Sequence, residues 1–300
     1  MFERRRAYNP KKAWSKNEEE KLLNHLKSKG FNSKILQKMF PDRTMASIRS
    51  KTRKLRIKHD IFGESYRETK KDFTKKHAEI IKPESVFEAY CGTGHQTIIW
   101  EKYCNNIFAS DKDKNKRTPF INAIKRIGYI ESSTYSDWLG YKKEKKNICF
   151  YNGDVLNAAI EIKQDNIKID VLDLDTCGST LPILPMLINL IKPKFLFITH
   201  GEFHSMRFKR DDVLRRVLFH RDINDTCLDL TVDELSKELD KAVKISALRS
   251  HNETQDSYWA ELIDEVWLGS KFHGMLRRVY KIIKAPATSD CLNELLYQKF

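Results

Sequence analysis

The sequence predicts an α/β protein on a largely parallel sheet with a terminal antiparallel hairpin, preceded by a small all-α domain of three helices. Three observations predict it. From about residue 83 onward, short apolar runs alternate with helical patterns, which argues strands joined by helical crossovers. A Gly-x-Gly turn follows the first of those runs, in Val86-Phe-Glu-Ala-Tyr-Cys-Gly-Thr-Gly-His95. The first sixty residues instead carry three short amphipathic patterns and most of the excess positive charge. The expected division is a basic arm and three-helix domain over 1–60, a linker over 61–82 and the α/β body over 83–300.

Residues 1–60 hold 18 Lys/Arg against six Asp/Glu, a local charge of +12 within a net charge of +14. A basic module on a near-neutral body is the footprint of a polyanion-binding appendage. A solubilising tail would not carry the apolar pattern that follows. The arm contributes Arg4, Arg5, Arg6, Lys11 and Lys12. Trp14 then precedes Ser15-Lys-Asn-Glu18, a capping box, with Leu22, Leu23 and Leu26 at helical spacing. A second helix is expected from about Ser33 with Ile35, Leu36, Met39 and Phe40 on one face. A third is capped by Thr44, with Ile48, Thr52 and Leu55 inward. The opposite face of that third helix offers Ser47, Arg49, Ser50, Lys51, Arg53 and Lys54.

This N-terminal pattern resembles the Myb/SANT-like helix-turn-helix family, through Trp-Ser-x-x-Glu-Glu at its start and Arg-Thr-x-x-Ser-Ile-x-x-Lys in the last helix. The resemblance implies duplex DNA as partner, with the third helix in the major groove and the arm on phosphates or in the minor groove. Histone tails, which some members bind, are cationic and would be repelled. A basic bundle that binds nucleic acid without sequence preference is the alternative. The Lys/Glu-rich stretch from His59 to about Lys82 reads as a surface helix or a hinge.

In the glycine turn, the acid matters as much as the glycines. A dinucleotide fingerprint needs a third glycine and places a pyrophosphate on the helix N-terminus. Here the third glycine is missing, and Glu88 would repel phosphate. A cationic, phosphate-free ligand fits better, and S-adenosylmethionine (SAM), with its sulfonium and amino group, is such a ligand. Glu88, Tyr90, Gly92 and Gly94 are the candidates on this turn. The next apolar run, Asn106–Ser110, ends at Asp111, where a ribose would be gripped, with Asp113 close by. Residues 115–147 read as a long connection with a helix near Phe120–Ile127. Its aromatics and lysines, Tyr135 to Lys146, suit nucleic-acid contact or a solvated loop. Strands are expected at 147–151, 167–173 and 194–199. The first of them is followed by Asn152-Gly153-Asp154, and a hairpin closes the body around Gly274.

In that order, residues 80–285 resemble the class I SAM-dependent methyltransferases, whose Rossmann-like sheet ends in an antiparallel hairpin. The resemblance implies that Asp154 accepts the adenine amino group of SAM, with Asp173 also beside the cofactor. It places the methyl acceptor at Asp175-Thr176-Cys177. Enzymes of this kind acting on DNA amines usually carry Asp/Asn-Pro-Pro-aromatic there, the acid orienting an exocyclic amine and the aromatic stacking on a flipped base. Asp175 keeps the acid; the prolines and ring are absent. Asp173-Leu-Asp175-x-x-Gly178-Ser179 also resembles the tRNA N2,N2-dimethylguanosine methyltransferases. Cys177 could be a nucleophile, as in cytosine-C5 enzymes, but lacks the preceding proline and reads better as a small buried thiol. His200, Glu202 and Phe203 are expected to line the acceptor pocket, Phe203 supplying the missing stack. His200-x-Glu-x-His204 is insufficient for a metal.

The expected function is methyl transfer from SAM to adenine N6 or cytosine N4 in duplex DNA. An RNA amine methyltransferase and a non-catalytic DNA-binding subunit are the alternatives. No run of eighteen apolar residues exists, so no membrane is expected. Met1-Phe-Glu-Arg-Arg-Arg has no apolar segment of a secretory signal. Six cysteines without Cys-x-x-Cys spacing suit reduced thiols and an intracellular location.

Overall fold

The structure is a computed structural model that describes residues 13–29, 31–59, 64–132, 137–176, 178–221, 227, 229–250, 257–269 and 274–284; Arg4, Arg5, Arg6 and Cys177 lie outside them. The chain divides into two compact units, residues 1–65 and 66–300.

The first unit holds α1 (Lys16–Lys29), α2 (Ser33–Met39) and α3 (Met45–His59). Each begins where a side chain can take up orphan backbone amides. Ser15 and Glu18 form the capping box, with Ser15 N donating to Glu18 Oε2 (2.8 Å) and Glu18 N to Ser15 Oγ (3.2 Å). Asn32 accepts from the Lys34 and Ile35 amides, and Thr44 from that of Ser47. Leu22, Leu26, Leu36, Phe40, Ile48 and Leu55 make the core, with Trp14 edge-on to Phe40 at 5.2 Å. Arg43 locks the first helix to the turn before α3. It donates to both Glu18 oxygens (3.0 and 2.7 Å) and to Ala13 O (2.8 Å), and lies 4.8 Å over the Trp14 ring. The Arg43 hydrogen bonds hold the Glu18 carboxyl down to about 2 from 4.5. A carboxylate depressed by folding stabilises above its unfolded value and stops doing so as pH falls through the folded one. The protection of α1–α3 amides, taken on the full chain as observed exchange relative to the intrinsic rate at each pH, is therefore expected to fall between pH 4.5 and about 2, and Glu18→Gln to flatten that dependence.

The second unit opens with α4 (Glu64–Ile81), β1 (Ser85–Ala89), α5 (His95–Trp100), β2 (Asn106–Ser110) and α6 (Lys114–Arg126). Then come β3 (Ile130–Glu131), β4 (Trp138–Lys143), β5 (Lys146–Tyr151), α7 (Val155–Gln164), β6 (Val171–Leu174), α8 (Leu184–Ile191) and β7 (Phe195–His200). It closes with α9 (Glu202–Arg207), α10 (Asp211–Val217), α11 (Val232–Leu248), β8 (Tyr258–Leu268) and β9 (Met275–Lys284). Among the described residues these strands form one sheet, in the order β3-β4-β5-β2-β1-β6-β7-β9-β8. β5, β2, β1, β6 and β7 are mutually parallel, and β9 runs antiparallel between β7 and β8. A register shift interrupts β8 between Leu262 and Asp264.

Both faces of the central strands are covered, which is why they read as near-continuous apolar runs. Phe73 and Ala78 of α4, Trp100 of α5 and Phe120 and Ile124 of α6 pack with Val86, Val171, Phe197 and Val279 on one face. Helices α7, α8 and α11 pack with Phe87, Leu172, Ile198 and Tyr280 on the other. Strand alternation therefore puts Glu88 on the α4–α5 face, where an apolar residue would otherwise sit.

Two expectations are sharpened. In the stretch 61–82, expected as a linker and read as a surface helix or a hinge, Glu64–Ile81 is the helix α4. Its Phe73, Thr74, His77 and Ala78 are buried, and Lys76 and His77 reach Asp264 at 2.7 and 2.9 Å, so the helix is part of the body. Of the aromatic and lysine-rich connection before residue 147, Tyr135 lies outside the described residues; Trp138–Lys143 is the antiparallel strand β4, in which Trp138 and Tyr141 are 4% and 1% exposed and so offer no ring to nucleic acid. Trp138 packs on Phe108 and Tyr151 at 5.7 and 5.3 Å.

Candidate active site

The carboxyl ends of β1, β2 and β5 bring most of the expected cofactor residues together. Tyr90, Gly92 and Gly94 all have positive φ, at 63°, 57° and 81°, as a tight strand-to-helix turn demands. The Gly92 amide donates to Asp111 Oδ2 at 2.9 Å, so the end of β2 is fastened to the glycine turn. Asp111 Oδ1 accepts from the Asp113 amide at 2.8 Å, and the Asn152 side chain donates to Asp111 O at 2.7 Å. Burial, with the nearby Asp154 and Asp111 carboxylates, pushes the Tyr90 phenol up to about 12. Tyr90, Asp111 and Asp154 thus lie near one another at these strand ends. Asp154 also caps α7 by accepting from the Leu156 amide at 2.9 Å. A Cβ added at Gly92 would meet nothing within 4 Å, whereas one at Gly94 would lie 3.1 Å from Phe120. Gly92 faces open space; Gly94 is needed for packing.

Glu88 is 1% exposed. Its Oε2 accepts from Thr97 Oγ1 at 2.5 Å, while Oε1 has no partner among the described residues. Burial pushes its carboxyl well up; the Thr97 bond opposes this, and Asp173 and Asp175 add to it. A buried acid left half-satisfied calls for a donor or a cation. Ser110 Oγ, at the end of β2, is likewise without a partner. These strand-end groups fit a ligand that brings an ammonium and hydroxyls and no phosphate.

Beyond the carboxyl ends of β6 and β7 the structure builds a polar chain that sequence reading did not find. Arg277 of β9 is fully buried. Its Nη2 donates to both Asp173 oxygens (2.9 and 2.8 Å), and its Nη1 to Thr199 Oγ1 (2.9 Å). Trp100 Nε1 donates to Asp173 Oδ2 at 2.7 Å. Thr199 Oγ1 in turn donates to Asp175 Oδ1 at 3.0 Å, and Lys70 Nζ of α4 donates to both Asp175 oxygens at 2.8 and 2.6 Å. Burial would raise the Asp175 carboxyl, but Lys70 and Arg277 outweigh it and hold it below its usual value. Thr199 left a weak signal, a hydroxyl in a largely apolar strand, but Arg277 left none in a strand that also carries Arg278, Lys281 and Lys284. Lys70 left none within a lysine-rich helix.

Several expected site residues stand elsewhere. Asp173, expected beside the cofactor, is engaged by Arg277 and Trp100 and is 0% exposed. Phe203 is a core ring, 4.9 Å from Trp267, and offers no stacking face. His200, at the end of β7, and Glu202, at the start of α9, are buried beside that core, 3.4 Å apart, rather than lining an open pocket. Thr176 is half-buried and accepts from the Gly178 amide through its hydroxyl. In the first unit, Ser47 Oγ accepts from Trp14 Nε1, and Lys51 is paired with Glu19, so neither is held out for a ligand. Arg49, Ser50, Arg53 and Lys54 are exposed on α3. Among the described residues, no group of three or more His, Cys, Asp or Glu could hold a metal ion, and no helix is long and apolar enough to cross a membrane.

No protein-family model matches the sequence, and no curated protein does. Solved structures do match. Trm1 from Pyrococcus horikoshii, solved with S-adenosyl-L-methionine, superposes with a TM-score of 0.57 at 14% identity, over 71% of this chain and 54% of that one. The fold is that of a class I methyltransferase. TomG from Streptomyces achromogenes, an O-methyltransferase solved with SAM, gives a TM-score of 0.46 at 9% identity over 73% and 86% of the two chains. An O-methyltransferase from Bacillus cereus gives 0.44 at 11% over 71% and 80%. The chain spans about half the length of the Trm1 it matches. In this sheet β9 runs opposite to both of its neighbours, β7 and β8.

Proposed function

We propose that the chain is an enzyme that transfers a methyl group from SAM to an exocyclic amine of a base in duplex DNA, adenine N6 or cytosine N4. The observation that carries the cofactor is the partnerless Glu88 oxygen at the end of β1. It suits the SAM amino group, whose positive charge would stabilise the ionised acid. Asp111, fixed by the Gly92 and Asp113 amides, suits the ribose hydroxyls, and Asp154 the adenine amine. SAM supplies a methyl group on a positively charged sulfur. Asp175, kept anionic by Lys70 and Arg277, would accept a hydrogen bond from the amine and aim its lone pair. The polymer is argued from the first unit, where Arg49, Arg53 and Lys54 are exposed on a third helix of Myb-like pattern.

A second reading, methylation of an RNA amine, is favoured by the Asp173-Leu-Asp175-x-x-Gly178-Ser179 loop. Tritiated SAM with matched duplex DNA and with tRNA separates the two; label only in RNA ends the DNA reading. A non-catalytic subunit is the third, its argument being the absent Pro-Pro-aromatic. SAM titration decides there: wild type is expected to bind, and Asp111→Ala to bind much more weakly. If wild type shows no binding, the enzyme reading fails. Gly92→Ala places a methyl in the open cleft and a side chain at positive φ, so it is expected to weaken SAM binding in the same titration and to lower stability by about 1–2 kcal/mol.

A further inference from the structure

An exposed ring with cations gathered on it follows the acceptor side of the sheet. Phe208 is 66% exposed, the most exposed phenylalanine among the described residues. A lone exposed ring needs no explanation. This one has the Arg207 guanidinium 5.6 Å and the Arg210 guanidinium 5.9 Å from its centroid, and Lys209 lies between them in sequence. All four side chains are exposed.

The cluster is also pre-shaped. The Lys209 amide donates to Met206 O (3.0 Å) and the Arg210 amide to Ser205 O (2.8 Å), the paired bonds of a Schellman ending to α9. That ending puts Lys209 at φ 54°, a position that favours glycine. The chain carries a cation there instead. Its place is pertinent: α9 begins two residues after β7, whose Thr199 holds Asp175, and six helical residues advance the chain by roughly 9 Å.

We propose that Arg207, Phe208, Lys209 and Arg210 form the platform that receives a base displaced from duplex DNA. This rests on the reading of the chain as a DNA amine methyltransferase. The ring and the guanidinium planes are both stacking surfaces for a base, and the three cations complement its flanking phosphates. The platform supplies the aromatic surface that the loop after β6 lacks and that buried Phe203 cannot offer.

Anisotropy titration of full-length protein tests it, with two labelled DNA duplexes of the same sequence, one fully matched and one with a single unpaired base. Phe208→Ala is expected to weaken binding of the unpaired-base duplex about tenfold while leaving the matched duplex unchanged, and Phe208→Trp to retain both affinities. An unchanged affinity for the unpaired-base duplex, or equal loss on both duplexes, overturns the platform. So does an effect confined to the RNA version of the unpaired-base duplex. SAM titration of the same preparations reports separately on the cofactor reading, because Phe208 is not among the residues assigned to SAM.

Discussion

Asp175→Ala is expected to lower methyl transfer about 10²–10³-fold while leaving SAM affinity unchanged, a loss in the range that misdirected reacting groups produce. The reasoning is geometric. Asp175 stands beyond the carboxyl end of β6, away from the Gly92–Asp111 fastening, and among the described residues accepts from Lys70 and Thr199. Three of the roughly four lone-pair positions of a carboxylate are thereby used. An incoming amine must take the remaining one or displace Lys70. Lys70→Met therefore makes a useful companion: it relieves that competition but removes the cation that holds the carboxyl low. Transfer by Lys70→Met is expected to fall off toward acid pH at a higher pH than in wild type, because burial then raises the Asp175 carboxyl with less opposition. Single-turnover rates across pH, with SAM saturating, check both variants. If Asp175→Ala transfers methyl at the wild-type rate, the acceptor site has been misassigned.

Arg277→Met is expected to destabilise the second unit by about 3–5 kcal/mol, the usual consequence of leaving a buried charge without its partner. For a unit of this size that corresponds to a fall in melting temperature of roughly 6–20 °C. Asp173 would keep Trp100 as its donor and lose two hydrogen bonds, and Thr199 would lose the donor that orients its hydroxyl toward Asp175. Adding Asp173→Asn to Arg277→Met is expected to recover part of the loss, since the stranded charge disappears while Trp100 retains an acceptor. Calorimetry of the two variants decides it. A wild-type melt for Arg277→Met would mean that the ion pair contributes nothing net.

The central strands and the glycine turn were legible because both sheet faces are covered: burial on two sides writes unbroken apolar runs such as Ile107 to Ala109 and Phe195 to Ile198. Glu88 stood out for the same reason, as an acid in such a run. The capping box at Ser15 and Glu18 was legible because its two side chains are three residues apart and need nothing distant. β4 was not, because its mixture of aromatics and lysines is written equally by a strand and by a solvated loop; only pairing with β5 decides. The start of α6 was obscured by Pro119, which lies inside the helix. The acceptor site was half legible. Asp175 declared itself by position, but its partners Lys70, Thr199 and Arg277 come from 105, 24 and 102 residues away, and no local pattern records such distances.

The two outermost strands bear on how the protein behaves when concentrated. At one border β3 is two residues long. At the other, β8 is broken in register at Leu262/Asp264 and carries Glu261, Asp264 and Glu265. A short stub on one side and a kinked, negatively charged ribbon on the other give a foreign strand little regular hydrogen-bonding ladder to extend. The nine strands are thus protected against edge-to-edge growth into aggregates by their own margins.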